Sequence, residues 1–184
     1  GDSRWIAFTA QTPANFRTIR LYSLADGKVT QVTDGMQEDF SPSFDPDGKY
    51  LFFISRRTFS PEFGGFELDM VFSATDKLYA MTLRDSLASP VAPESDEESG
   101  GGDEEKGDKG DDKGKDKAKG KDKPAEPGWR IDLAGMGQRA AELPVPAGRY
   151  FGLTATKGKV VFLAQEATPD EDGQAPLSLR FYDL

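Results

Sequence analysis

Three stretches of this chain align with one another without gaps: Arg4 to Gln11 (RWIAFTAQ), Lys49 to Arg56 (KYLFFISR) and Lys159 to Glu166 (KVVFLAQE). Each is a basic residue followed by a short aromatic and β-branched run. Apolar residues at consecutive positions over strand length suit a strand covered on both faces, because a half-exposed strand would alternate. A second set trails the first: Ile19 to Leu24 (IRLYSL), Leu78 to Leu83 (LYAMTL) and Leu179 to Leu184 (LRFYDL). The first copy of the pair precedes the second by 45 residues, the period of one four-stranded propeller blade.

With the two strands named b and c, the turn Asp26-Gly27 leads into a d strand at Lys28 to Thr33, and Phe40 to Phe44 reads as strand a of the next blade. Asp45-Pro46-Asp47-Gly48 then has hairpin chemistry: Asp accepts from backbone N–H, Pro presets φ, and Gly tolerates a positive φ. A third copy follows, with Tyr150 to Ala155 as strand a and Lys157-Gly158 as the turn. The expected fold is all-β: a partial β-propeller of about three four-stranded antiparallel blades, interrupted by a disordered charged insert. Residues 1–92 hold strands b-c-d of one blade and a-b-c of the next, 93–127 are the insert, and 128–184 complete the second blade and supply a-b-c of a third. Strand polarity sends the b–c loop, Arg57 to Thr75, to one face and the charged c–d insert to the other. Three blades are too few to close a ring, so blade faces should be exposed at both ends, and the chain reads as a segment cut from a longer protein.

The insert is read from composition. Hydrophobic residues make up only 36% of the chain and charged residues 30%, and the apolar deficit is concentrated between Glu94 and Pro127. That stretch has no aromatic or aliphatic residue larger than Ala125, only Asp, Glu, Lys, Gly, Ser, Ala and Pro, and carries 13 acids against 8 lysines, so it cannot bury enough surface to offset chain entropy. Its lysines alternate with Asp and Gly without interleaved aromatics, which argues against nucleic acid. No apolar run reaches membrane-spanning length. Cysteine and histidine are both absent, which removes thiolate metal sites and the usual base for a serine nucleophile, and no cofactor is expected.

The remaining candidates for chemistry are weak. Ser73 stands four residues before Lys77, one more than the Ser-x-x-Lys spacing, and Gly1-Asp2-Ser3 lacks a nucleophile elbow. Asp45 with Asp47, and Asp170-Glu171-Asp172-Gly173, lack the alternation of a calcium loop and read as surface turns. Gly100-Gly101-Gly102 lies among acids that repel a phosphate. Arg56-Arg57 is the one basic pair at a strand end on the b–c face, and could anchor an acidic group or a peptide carboxylate. No residue is assigned a catalytic or metal-binding role.

The segment SPSFDPDGKYLFFISRR (Ser41 to Arg57) resembles the PD40/WD40-like repeat shared by TolB-type propellers and the propellers of several serine peptidases. The loop FSPEFGGFELDMVF, then DKLYAMTL, and WRIDLAGMGQRAAELPVPAGRYFGL (Trp129 to Leu153) together are similar to the seven-bladed propeller of tricorn-type peptidases. The resemblance implies a noncatalytic part of a peptide channel or filter, with the serine and histidine of catalysis in a later body of the parent chain. It also implies peptides or unfolded polypeptide as substrates, the other blades and catalytic domains as partners, a homo-oligomeric parent, and a cytoplasmic location, with the periplasm as the alternative. Two other readings stand beside it: a TolB-like module that docks a protein through the b–c face, and a propeller glycosidase with paired carboxylates.

Overall fold

A computed structural model describes residues 3–58, 62–63, 70–71, 74–91, 129–166 and 175–184, the two short pieces as backbone only. In chain order the strands are β1 (Trp5–Gln11), β2 (Arg17–Ser23), β3 (Val29–Gln31), β4 (Glu38–Phe44), β5 (Tyr50–Arg56), β6 (Glu62–Phe63), β7 (Met70–Val71), β8 (Asp76–Thr82), β9 (Ala140–Glu142), β10 (Tyr150–Thr156), β11 (Lys159–Gln165) and β12 (Leu177–Asp183). They form antiparallel sheets in the orders β1-β2-β3, β4-β5-β8-β9 and β10-β11-β12, with β6 and β7 pairing as a small ribbon. The chain is therefore all-β, built as partial propeller blades. The charged run expected to be disordered, with its edges at 93 and 127, lies outside the described residues. A single turn of 3-10 helix, Met136–Arg139, precedes β9, and no helix among the described residues is long and apolar enough to cross a membrane.

The middle sheet is a filling between two others. Every residue from Leu51 to Ser55 is 0% exposed. Leu51 and Phe53 pack into one core with Ile19, Leu21, Met81 and Met136. Phe52 and Ile54, on the opposite face, pack with Leu78, Val160 and Phe162. Alternate side chains of a strand point to opposite faces, so the unbroken apolar run of β5 feeds two cores at once. The aligned runs β1 and β11 differ: Ile6 in β1 is half exposed, and β11 buries only Val160, Phe162 and Ala164. Among the described residues no sheet covers their second faces, so double coverage, expected of all three, holds for β5 alone.

The hairpin at Asp45–Gly48 forms as its residue types require. Asp45 accepts the N–H groups of Asp47 at 3.3 Å and Lys49 at 3.1 Å on its carboxylate oxygens, and Gly48 takes φ +70°. Both complete first strands carry a bulge at the same place. In β4 the register slips between Phe40 and Ser43 with Ser41 at φ 53°, and in β10 between Phe151 and Thr154 with Gly152 at φ 54°. Bulges bend a strand and steepen its twist. The sheets approach each other along β4, which neighbours β1 and β2 on one side and β10 on the other.

The register of the middle sheet sets its two ends. Arg56 pairs with Asp76 at one end and Tyr50 with Thr82 at the other, so residues 57–75 depart from the first and the stretch after Thr82 from the second. The chain is described up to Val91 and again from Trp129. Val91 packs against the core shared with β11, whereas Trp129 packs against the core shared with β2. The two stubs thus settle on opposite sides of the middle sheet.

Candidate functional site

Arg56 and Arg57 are adjacent in sequence and are sent to opposite faces of the middle sheet by strand alternation. Arg56 donates from Nε to Oδ1 of Asp76 at 2.8 Å, and its guanidinium stands 5.2 Å from the Phe40 ring centre. Asp76 is buried and uses its other oxygen, Oδ2, to accept the backbone N–H of Tyr150 at 3.0 Å. Arg56 is thereby the counter-charge of a carboxylate that ties β8 to β10. Arg17 covers the same Phe40 ring at 4.1 Å and pairs with Glu38 at 2.7 Å.

Arg57 is held differently. Its Nε donates to Ser55 Oγ at 2.7 Å, Nη2 reaches Asp39 Oδ1 at 3.4 Å, and the guanidinium lies 4.6 Å from the centre of the Tyr79 ring. Tyr79 is oriented in turn, because its hydroxyl donates to Glu142 Oε2 at 2.9 Å while Lys77 pairs with Glu142 Oε1 at 2.8 Å and donates to the Val145 carbonyl at 3.0 Å. Burial, helped by the bond to Glu142, pushes the Tyr79 phenol up to about 12. The hydrogen bond from Lys77 holds Glu142 below the ordinary carboxylate range. Asp39 is fully buried, and its Oδ2 has no hydrogen-bond partner among the described residues.

Arg57 opens on a cleft of about 530 Å³. One wall is Gln31 to Asp34, running from β3 towards β4, and the other is the turn Gly135 to Gln138 before β9. Gly137 lets the walls meet, since a Cβ there would lie 2.8 Å from the Val32 carbonyl oxygen. No residue of β4 or β10 lines the cleft. A second cavity, of about 410 Å³, lies beside Tyr150, Glu166 and Arg180; Arg180 is already clamped by both oxygens of Glu166, at 2.8 and 2.9 Å.

The match to known proteins covers the whole chain: the family described as the tricorn protease second beta propeller domain matches residues 1–184. The chain belongs to this family. A tricorn protease homolog from Streptomyces coelicolor is 34% identical, over all of this chain and 17% of its own length. The tricorn protease of Thermoplasma volcanium is 27% identical over 49% of this chain and 9% of its own. The crystal structure of the tricorn protease superposes with a TM-score of 0.69 over 99% of this chain, at 18% identity, and shares its fold. The chain spans less than a fifth of the length of these relatives.

Several described carboxylates of this tricorn-family propeller segment are engaged by the chain's own donors, Asp45 by its turn, Asp76 by Arg56 and Glu166 by Arg180. Those whose titration is shifted, Asp26, Glu38, Asp132, Glu142 and Glu166, are all shifted down, the opposite of what a general acid for sugar hydrolysis needs. Among the described residues no cluster of three or more metal-ligating side chains occurs, and Asp45 spends both oxygens on its own turn. Ser73 and Asp170 to Gly173 lie outside the described residues. Sequence reasoning missed Asp39, Tyr79, Glu142 and the cleft wall. Ser55 and Arg57 were legible as same-face neighbours, two residues apart at the end of a strand, but Tyr79 and Glu142 are 63 residues apart and no local pattern links them.

Proposed function

We propose that this chain is a noncatalytic propeller segment of a longer tricorn-like serine peptidase and contributes to the path by which peptides reach the catalytic body. The family match over residues 1–184 carries the reading. The absence of histidine and cysteine from the sequence supports it, because a serine nucleophile ordinarily draws on a histidine base and a thiol nucleophile needs a cysteine. Strands β4 and β10, along which adjacent sheets converge, are the elements that would border such a path. Peptides and unfolded polypeptide are the substrates, and the remaining blades and catalytic domains of the same chain are the first partners.

The test is hydrolysis of a short-peptide library by the full-length chain and by this segment alone. The full-length chain cleaves and the segment does not. Cleavage by the purified segment would place a catalytic centre within it and overturn the proposal.

A further inference from the structure

We infer that the cleft between Gln31–Asp34 and Gly135–Gln138 is a binding site for a carboxylate, received by the guanidinium of Arg57. No residue of β4 or β10 lines the cleft, although Asp39 of β4 helps to hold Arg57, and the inference does not depend on whether peptides pass along β4 and β10. It rests on three properties of Arg57. The side chain is 30% exposed and lines the cleft. It is pre-oriented by Ser55, Asp39 and the face of Tyr79. Finally, Nε and one Nη2 proton are used, while a guanidinium has five N–H donors, so the Nη1 donors find no acceptor among the described residues.

Planar, forked donors with a fixed orientation match a carboxylate in bidentate fashion, and little entropy is lost on binding because the side chain is already held. The volume is within the range of small-ligand sites. Thr33 lines the same wall, its hydroxyl held inward by the Ile19 N–H at 3.0 Å. Two acids oppose the ligand. Asp39 already shares Arg57, though at a long 3.4 Å, and Asp34 stands on the cleft wall with Oδ1 accepting the Met36 N–H at 2.9 Å. Asp34 should therefore weaken, and not abolish, carboxylate binding.

The test uses the full-length chain and three dansylated tripeptides: trialanine as the free acid, trialanine amide, and the amide with aspartate in the middle. Affinity is read by fluorescence anisotropy, with mass spectrometry confirming intact peptides, so binding is separated from hydrolysis. At least one of the two acidic peptides binds about tenfold or more tighter than the neutral amide, as a charge-assisted bidentate contact requires. Preference for the free acid alone identifies a chain terminus, for the aspartyl amide alone an acidic side chain, and for both any carboxylate of this size. Arg57→Gln combined with Asp39→Asn, which removes the buried charge together with its partner, erases the preference. Asp34→Asn keeps the bond from Met36 and increases the preference, a gain that loss of folding would not produce. Equal affinity for all three peptides in the native chain, or a preference that survives the double substitution, overturns the inference.

Discussion

Ser43 Oγ on β4 accepts the backbone N–H of Ala155 on β10 at 2.9 Å, joining two strands that belong to different sheets. Ser43 sits at the far side of the β4 bulge, which turns its side chain towards the neighbouring blade. Ser43→Ala leaves the Ala155 amide unpaired in a partly buried position and should cost about 1–2 kcal/mol. Denaturant unfolding would measure the loss, and amide exchange should accelerate at Ala155 ahead of residues in β5.

Gly48 and Trp129 form a second long-range latch. Gly48 has φ +70°, and a Cβ there would lie 3.0 Å from the Trp129 ring, which itself packs edge-on against Phe44 at 5.5 Å. Gly48→Ala combines left-handed strain with a collision against a bulky ring, and a cost of about 1–3 kcal/mol is expected. Displacement of the indole should shift tryptophan emission to the red. An unchanged emission spectrum and unchanged stability would show that the turn and the ring are not in contact.

The Tyr79–Glu142 pair makes stability depend on pH at both ends of the range. Glu142 is lowered, so its contribution is complete above the ordinary glutamate range and is lost as pH falls through its lower folded-state value. Tyr79 is raised from 10.0 to about 12, so its contribution is complete below pH 10.0 and is lost as pH rises towards 12. In a phenolate absorbance titration one tyrosine should ionise near 12, and Tyr79→Phe should remove that step. Retention of the step in the variant would assign it to another tyrosine.

Leu177, Leu179 and Phe181 alternate along β12 and are 58%, 73% and 60% exposed. Paired on that face with Leu163 and Val161, they make an apolar sheet surface of the kind that associates in water. The isolated segment should therefore bind a hydrophobic dye and sediment in a concentration-dependent manner. Leu179→Ser with Phe181→Ser should reduce both effects without loss of the β signal in circular dichroism. A monodisperse, dye-silent native segment would refute this.

Local side-chain pattern was enough to place the strands and the tight turns. The runs at Lys49 to Arg56 and Lys159 to Glu166 became β5 and β11, and Asp45-Pro46-Asp47-Gly48 became a hairpin turn. These features depend on local chemistry: side-chain pattern, fixed φ at proline, and the free φ of glycine. Packing between sheets left β5 buried on both faces and β11 on one, because burial depends on which sheet arrives from elsewhere in the chain. It also separated Arg56 from Arg57, assigning one to a buried Asp76 and the other to a cleft. That cleft is closed by Gly137 against the Val32 carbonyl, with Tyr79 and Glu142 behind the guanidinium. Contacts of that sequence separation leave no mark in any short window, since packing alone brings the partners together.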